Sequence, residues 1–296
     1  MISVVIPTYN RCDAILALLS TIYQQTDASF EVLVIDDCSN DSTVDAIRRE
    51  YPATIVIENI ANFGPAVSRN RGIVASTGNI ILGLDSDTTI PDKQLLARIE
   101  DFFERRDEID CVAFRILKPD GVSEDAERWW HPRPVGDYAK RQFFSDYFSG
   151  TAYAIRKDSA LDAGLYPEHF FMHYEEVLLA WRLIDRGRKI LYSPEFVVIH
   201  DANPVSNRNL VEVYFKPRNQ LLLAINCLPV GYAICYVLPR AIYQLCKATG
   251  NGHLNEFLRA MRSALHHLPS QIQVRCPLQP QTLKHIRKLR LQSSET

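Results

Sequence analysis

The stretch IILGLDSDTTI, residues 80–90, joins an unbroken apolar run to two aspartates. Its first five residues are apolar, and this pattern is typical of a strand buried on both faces of a parallel sheet. Asp85 and Asp87 follow at once, and residues i and i+2 of an extended chain point to the same side. A divalent cation would relieve the repulsion between two such carboxylates. A solvated turn is the alternative, because Asp is common in turns.

Apolar runs alternate with amphipathic segments along the first 117 residues. Strands are predicted at residues 2–6, 30–35, 54–57, 80–84 and 111–116, and helices at 12–25, 42–50, 66–76 and 91–105. Further on, strands are predicted at 149–158, 189–192 and 196–199, helices at 159–163 and 175–187, and an irregular lobe at 118–146. This alternation predicts an α/β fold, in which helices cover both faces of a mainly parallel sheet.

Polar side chains follow the ends of several predicted strands, where ligands of such a sheet bind. They are Arg11, Asp36, Asp37, Asn62, Asp85, Asp87 and His200. The imidazole of His200 suits Mn²⁺ and other first-row ions. A histidine at a strand end is more often a hydrogen-bonded loop residue, so the metal interpretation requires Asp87 to lie nearby.

Glu175 and Glu176 open the predicted helix 175–187. Acidic residues in a first turn are stabilised by the helix dipole, which is sufficient reason for one of them. The functional alternative is a general base that takes a proton from an attacking hydroxyl group.

Charge is unevenly distributed along the chain. The net charge is −2, but residues 240–296 hold nine Lys and Arg against two acids, a charge of +7 that leaves −9 on residues 1–239. The basic tail, together with the interrupted apolar segment 221–238, predicts either contact with an anionic membrane surface or a helical hairpin packed on the preceding domain or on another subunit. The seven cysteines contain no CxxC pair and are predicted to be reduced thiols. We expect no secretory signal and a cytoplasmic protein, peripheral at the inner face of the plasma membrane if the tail binds lipid.

Four segments together carry a resemblance to a known family. VVIPTYNR (4–11), VLVIDDCSNDST (32–43), NFGPAVSRNRGIVASTGNIILGLDSDT (62–88) and HYEEVLLAWRLIDRGRKI with VVIH (173–200) occur in this order. In order and spacing they resemble family 2 glycosyltransferases with the GT-A fold, in particular their rhamnosyltransferase-like bacterial branch. The resemblance covers about residues 1–225, as a nucleotide-binding half (1–117) and an acceptor half (118–225), before a basic helical extension (226–296).

The resemblance implies inverting transfer of a sugar from a nucleotide-diphosphate donor, UDP- or dTDP-linked, to a glycan or lipid-linked acceptor in bacterial surface polysaccharide assembly. It implies a divalent cation, Mn²⁺ or Mg²⁺, held by Asp87, Asp85 and His200, and a catalytic base at Glu176 or Glu175. Glu176 stands where the family usually has Asp. The implied donor-binding residues are Pro7, Thr8, Tyr9, Arg11, Asp36, Asp37, Asn62, Arg69, Asp85, Ser86, Lys216 and Arg218.

Acceptor binding is assigned to the irregular lobe and the strand after it. Trp129, Trp130 and His131 offer aromatic faces that suit sugar rings, although Trp pairs more often pack a lobe onto a core. Gly150 and Thr151 border the acceptor pocket by resemblance. No nucleic-acid partner is predicted.

Two other classes of protein stay open at this point. A sugar nucleotidyltransferase would also use metal-bound carboxylates, but it usually has a Gly-rich loop where this chain has PTYNRCD (7–13). A non-catalytic nucleotide-sugar-binding module is the second. A dinucleotide-dependent oxidoreductase is disfavoured, because GxGxxG occurs nowhere in the sequence.

Overall fold

Residues 1–201 and 208–291 are described by the computed structural model, and nine strands among them form a single mixed sheet. The strands are β1 (Ile2–Thr8), β2 (Phe30–Asp36), β3 (Ile55–Glu58), β4 (Ile80–Leu84), β5 (Thr88–Thr89), β6 (Cys111–Leu117), β7 (Phe143–Phe144), β8 (Ala152–Arg156) and β9 (Ile190–His200). Their order across the sheet is β3-β2-β1-β4-β8-β6-β9-β5, and β7 pairs with β9.

Helices cover this sheet and continue beyond it. Those of the first part are α1 (Cys12–Ile22), α2 (Thr43–Glu50), α3 (Pro65–Ala75), α4 (Leu95–Arg105), α5 (Val135–Tyr138), α6 (Lys157–Asp162) and α7 (Glu175–Asp185), with a 3-10 turn at Glu168–Phe170. Those of the C-terminal part are α8 (Arg208–Cys227), α9 (Val230–Gly250), α10 (Leu254–Gln273) and α11 (Pro280–Leu291).

The first four strands are parallel, as their continuous apolar sequences predict. β1 lies between β2 and β4, and all seven of its residues are buried. Two apolar clusters, one on each face, hold the sheet between its helices. The predicted α/β architecture is therefore confirmed, and the carboxyl ends of β1, β2 and β4 meet at one edge.

The second part of the sheet departs from simple alternation. β8 runs antiparallel to both β4 and β6. The two strands predicted at 189–192 and 196–199 are one strand, β9, whose pairing with β6 shifts register between Phe114 and Arg115. Pro194 lies in the shifted stretch, and proline cannot donate a ladder hydrogen bond. Because β9 continues to His200, which pairs with Thr88 of β5, it brings the histidine beside Asp87.

The C-terminal helices pack on the part of the chain that carries the sheet. Leu222, Ala224 and Cys227 of α8 are buried in the same apolar cluster as α7 and β8. The predicted boundary between residues 225 and 226 falls inside α8, and the apolar segment 221–238 is divided between α8 and α9. Within the described helices, none combines the length and apolar character that crossing a bilayer requires.

Candidate active site

The two aspartates lie directly beyond β4, and each is paired with a different arginine. Arg69 of α3 donates from Nη2 to Asp85 Oδ1 at 2.7 Å, and Arg11 donates from Nη1 to Asp87 Oδ2 at 3.2 Å. Burial raises the pKa of Asp85, but the charges of Arg69, Arg128 and His200 together outweigh it, so that the pKa lies below its usual value. Burial and then the charge of Asp85 raise the pKa of Asp87. Asp87 is therefore the aspartate whose negative charge is less well compensated by the neighbouring groups.

His200 lies beside Asp87, with its Nε2 atom 3.6 Å from Asp87 Oδ1. Its Nδ1 atom is 2.8 Å from Asp125 Oδ2. Hydrogen bonding to His200 helps to hold the pKa of Asp125 below its usual value against burial, so this carboxylate is ionised and can only accept. Nδ1 therefore carries a proton. In the neutral ring, Nε2 then holds the lone pair on the side of Asp87 and Arg128, an arrangement that suits a metal-ligating histidine.

The chemistry of this pair fits a divalent cation that completes its coordination with ligand oxygens. Within the described ranges, no cluster of three or more His, Cys, Asp and Glu side chains could hold a metal ion as it stands. Asp87 and His200 could supply two ligands, since their nearest atoms are 3.6 Å apart, and the remaining positions of a hard cation are commonly filled by water and phosphate. Arg128, whose Nη2 atom is 3.5 Å from His200 Nε2, adds a cationic group at the same edge.

Glu175 and Glu176 approach the aspartates through Arg69. Its Nη1 atom lies 3.6 Å from Glu175 Oε1 and 4.0 Å from Glu176 Oε1. Burial, and next the charge of Glu176, raise the pKa of Glu175 well above its usual value. Burial also raises the pKa of Glu176, against the opposing effect of Arg69. One guanidinium thus links Asp85 to both glutamates.

The segment before α7, which positions the two glutamates, has an unusual backbone conformation. Phe171, His173 and Tyr174 have φ values of 65°, 68° and 70°, a left-handed region that side-chain-bearing residues seldom adopt. Asn219 of α8 holds this segment, because its Nδ2 group lies 2.9, 2.8 and 2.9 Å from the carbonyl oxygens of Phe170, Met172 and His173. The left-handed stretch is thus fixed by a fully buried amide.

Position 150 requires glycine, because the side chains of Glu176 and Arg69 approach its backbone closely. A Cβ atom at this position would lie 2.4 Å from Glu176 Oε1 and 2.7 Å from Arg69 Nη2. Thr151, the next residue, is buried and accepts the Asp85 backbone N–H at its carbonyl oxygen, at 3.0 Å. Both residues were predicted to border the acceptor pocket, and their contacts are with Asp85, Arg69 and Glu176.

The predicted donor-binding residues at the ends of β1 and β2 differ in whether their side-chain oxygens already accept hydrogen bonds. Thr8 and Asp36 are paired neighbours in the sheet, and Thr8 Oγ1 and Asp36 Oδ1 are buried polar atoms with no hydrogen-bond partner among the described residues. Asp37 accepts from Asn59 Nδ2 and from the backbone N–H groups of Phe63 and Gly64, at 2.7, 3.0 and 2.7 Å. Because Asp37 already holds the 59–64 loop with both oxygens, its predicted contact with the nucleoside stays a prediction. Of the other predicted donor residues, Pro7 and Ser86 are buried, whereas Tyr9 and Asn62 are exposed.

The aromatic residues of the irregular lobe divide into two groups. Trp129 and His131 pack with Phe143 and Tyr192. Burial lowers the pKa of His131 to about 3, so this ring is neutral at ordinary pH. Trp130 instead stacks on Tyr147 with ring centroids 5.9 Å apart and lines a cavity of about 120 Å³, whereas the cavity beside Trp129 and His131 is only about 10 Å³. Of the three residues, Trp130 is therefore the one whose contacts favour a ligand.

Lys216 and Arg218 both lie on α8, but their side chains contact different groups. Lys216 pairs with Glu212 at 2.7 Å, and its Nζ atom is 5.8 Å from the centre of the Trp130 ring. Arg218 is buried and donates to Ser263 of α10 at 3.1 Å and to the side chain of Asn219 at 2.6 Å. The contacts of Arg218 lie between helices, and they give its predicted role in donor binding no support.

Three residues of the site were not predicted from the sequence. Asp125 and Arg128 lie in the irregular lobe, where no periodicity indicates which side chains turn inward. Asn219 ends the YFKPRN segment (214–219), and a buried amide beside a predicted site is the signal that could have identified it.

Comparison with known proteins agrees with the fold. The model of the family described as Glycosyl transferase family 2 matches residues 3–164, more than half of the chain. The chain therefore belongs to this family, and the resemblance stated from its motifs is confirmed at that level.

Individual relatives and solved structures are more distant. An uncharacterized glycosyltransferase of Haemophilus influenzae is 44% identical over 87 residues, covering 29% of either chain. A poly(ribitol-phosphate) beta-glucosyltransferase of Bacillus spizizenii is 38% identical over 101 residues, 32% of this chain and 16% of its own. S. aureus TarS 1-349 in complex with UDP-GlcNAc superposes with a TM-score of 0.61 at 17% identity, over 99% of this chain and 88% of that one. The mannosyltransferase PcManGT of Pyrobaculum calidifontis, with GDP-Man and Mn²⁺, has a TM-score of 0.59 at 19% identity, over 99% and 87%. These structures show the same fold, and this chain spans less than a third of either curated relative.

Proposed function

We propose that this chain is a metal-dependent, inverting glycosyltransferase. It would move a sugar from a nucleotide-diphosphate donor, UDP- or dTDP-linked, to a hydroxyl group of a glycan or lipid-linked acceptor in bacterial surface polysaccharide assembly. The observation that carries the proposal is the grouping of Asp85, Glu175 and Glu176 around Arg69, with His200 beside Asp87. Family membership favours transfer over the nucleotidyltransferase alternative.

The donor would lie along the carboxyl ends of β1, β2 and β4. The partnerless atoms of Thr8 and Asp36 suit the polar groups of a nucleoside, because buried polar atoms are normally hydrogen-bonded. Asp87 and His200 would hold Mn²⁺ or Mg²⁺, with Asp85 nearby. When bound, the cation would supply positive charge against the diphosphate leaving group. A family neighbour of this fold was solved with GDP-Man and Mn²⁺, which supports a nucleotide-sugar donor and a divalent cation.

Glu176 would act as the general base. Its side chain is 15% exposed, whereas that of Glu175 is 4% exposed, so Glu176 is the one that an acceptor hydroxyl can reach. In the proposed step the acceptor oxygen forms a bond to the anomeric carbon as the bond to the diphosphate oxygen breaks, and the hydroxyl proton passes to Glu176. One displacement of this kind inverts the anomeric centre. General-base assistance is typically worth about 10²–10⁴-fold.

A donor screen tests the proposal. Purified protein is incubated with UDP-, dTDP- and GDP-linked sugars, with and without Mn²⁺, and release of the free nucleoside diphosphate is measured. We expect release from one donor class that requires the metal and is lost in Asp87→Asn. Donor binding without release under every condition, with a glycan acceptor extract present, would favour the non-catalytic binding module. The narrower rhamnosyltransferase-like assignment is tested by including dTDP-rhamnose.

Peripheral membrane contact is a separate part of the proposal. The face of α9 that carries Val230, Ile234, Leu238 and Ile242 is exposed, and the basic C-terminal charge follows it. Burial of such a face, together with attraction to anionic lipid, is typical of interfacial helices. Flotation with phosphatidylglycerol vesicles at low salt should carry the protein upward, and phosphatidylcholine vesicles should not. Equal flotation with both kinds of vesicle would rule out the proposed membrane contact but would leave the transferase proposal intact.

A further inference from the structure

A cavity lies between α7 and the C-terminal helices α9 and α11. Its volume is about 120 Å³, and it is lined by Trp130, Tyr147, Tyr174, Trp181, Tyr236, Arg240 and Arg290, with Val177. A water molecule occupies about 30 Å³ in the liquid, so the cavity has room for a group of several heavy atoms. None of its residues except Trp130 belongs to the donor or acceptor sites predicted from the sequence.

The cavity is adjacent to the proposed base. Tyr174 and Val177 line it, and they flank Glu175 and Glu176 in the chain. Burial and then the charge of Glu176 raise the pKa of Tyr147, which places this phenol in the field of the same carboxylate. A ligand in the cavity would therefore lie close to an acceptor hydroxyl held at Glu176.

The walls of the cavity combine aromatic rings with guanidinium groups. Trp130 packs against Tyr147 and Tyr174, with ring centroids 5.9 and 5.4 Å away. The guanidinium of Arg240 lies 3.9 Å from the centre of the Tyr236 ring and donates to the Tyr236 carbonyl oxygen at 3.0 Å. Aromatic faces suit sugar rings, and a planar guanidinium suits a carboxylate or a phosphate.

The two arginines differ in their availability. Arg290 donates to Asp146 Oδ2 at 2.6 Å, and the same oxygen accepts from Trp181 Nε1 at 3.3 Å. Arg240 forms no ion pair with any carboxylate in the part of the chain that the structure describes. The guanidinium of Arg240 thus lies among aromatic rings in the cavity. No described side chain supplies a carboxylate to pair with it.

We propose that this cavity is an acceptor subsite for an anionic sugar or polyol unit, whose carboxylate or phosphate pairs with Arg240 while its ring or chain packs on Trp130 and Tyr236. The inference rests on the proposed transferase function and adds the chemical class of the acceptor. The acceptor would be an acidic glycan, such as a uronic acid polymer or a polyol phosphate polymer, and a neutral glycan would be a poor substrate.

The chain allows a direct binding test, because two of its three tryptophans, Trp130 and Trp181, line the cavity. Tryptophan emission of the full chain is titrated with methyl glucuronide, glycerol 1-phosphate and methyl glucoside. We expect at least one of the two anionic probes to change the emission with a Kd at least tenfold below that of the neutral glucoside. A preference for the glucuronide indicates a uronic acid, and a preference for the phosphate indicates a polyol phosphate.

Arg240→Gln should weaken binding of the anionic probe at least tenfold and leave that of the glucoside unchanged. Arg287→Gln is the matched control, since Arg287 is an exposed arginine on α11 that does not line the cavity. Arg290 is a poorer choice, because its removal leaves the buried Asp146 without its cation. Equal binding of charged and neutral probes, no response to any probe, or wild-type affinity in Arg240→Gln would overturn the inference.

Donor-induced thermal stabilisation separates this inference from the proposed function. Arg240→Gln should keep the shift in Tm that a nucleotide sugar with Mn²⁺ gives to the wild type, because Arg240 lies away from the donor edge. If the wild type shows neither that shift nor donor turnover, the transferase proposal fails while the probe titration still reports on the cavity.

Discussion

The two acidic pairs of the site are positioned by different kinds of structure. Asp85 and Asp87 follow β4 directly, and backbone ladder bonds fix them, including the bond from the Asp201 N–H to the Asp87 carbonyl oxygen at 2.8 Å. Glu175 and Glu176 instead follow a left-handed segment that is held by the side chain of Asn219. The aspartate pair thus depends on the sheet itself, whereas the glutamate pair depends on one buried amide.

The pairs also differ in how their charge is balanced. Asp85 and Asp87 each have an arginine within hydrogen-bonding distance, whereas Glu175 and Glu176 share the more distant Nη1 atom of Arg69. Burial raises the pKa of both glutamates, which favours proton transfer. At the aspartate edge the pKa of Asp85 is lowered and that of Asp87 is raised, and a cation would relieve the repulsion between the two. The following variants separate the two behaviours.

The largest difference is expected between the two glutamates. Glu176→Gln should lower kcat by about 10²–10⁴-fold, because the amide cannot accept the acceptor proton. Glu175→Gln should lower kcat by less than about tenfold, because burial already favours the neutral form of Glu175. Release of nucleoside diphosphate measures both. Unchanged donor-induced shifts in Tm are the control, and a kcat loss in Glu175→Gln equal to that in Glu176→Gln would reverse the assignment of the base.

The second variant changes Asn219, which holds the backbone segment that precedes the two glutamates. Asn219→Leu removes the donors to three carbonyl oxygens and should lower kcat by up to about 10²-fold, since displacement of a reacting group by about 1 Å has effects of this size. Metal affinity should not change, because the aspartate edge is held by the sheet. Asn226→Leu is the matched control, a buried asparagine on the same helix that bonds to Gln271 at 3.1 Å. A comparable kcat loss in the folded Asn226→Leu protein would indicate a general helix effect.

The same contrast explains what could be predicted from the sequence. The aspartate edge follows from apolar runs and the rule for strand ends, and β4 has the predicted bounds. The partners Asp125 and Arg128 could not be predicted, because they come from a lobe without periodicity and meet His200 only after the chain has folded. The left-handed segment before α7 has no glycine to indicate it, so the role of Asn219 emerges only from the packing of α8.

A third variant tests the histidine of the aspartate edge. Asp125→Asn removes the carboxylate that fixes the tautomer of His200, and loss of such a partner typically costs about 10–100-fold in metal affinity. The Mn²⁺ concentration for half-maximal activity should rise accordingly, while kcat at saturating metal stays near that of the wild type. Asp120→Asn, on an exposed turn of the same lobe, should leave the metal requirement unchanged. An unaltered metal requirement in Asp125→Asn would remove His200 from the ligand set.

The smallest effect is a displacement of the pH profile. Glu176 works as a base only when ionised, and burial raises its pKa, so kcat/KM should rise with pH through a limb above 4.5. The charge of Asp85 also raises the pKa of Glu176, whereas Arg69 lowers it. Asp85→Asn removes the first influence and frees Arg69 from its 2.7 Å ion pair, so the limb should move to lower pH whatever the loss in rate. Asp101→Asn, an exposed carboxylate on α4, should leave the limb in place. A limb that stays or moves to higher pH in Asp85→Asn would show that Arg69 does not couple the two acidic pairs.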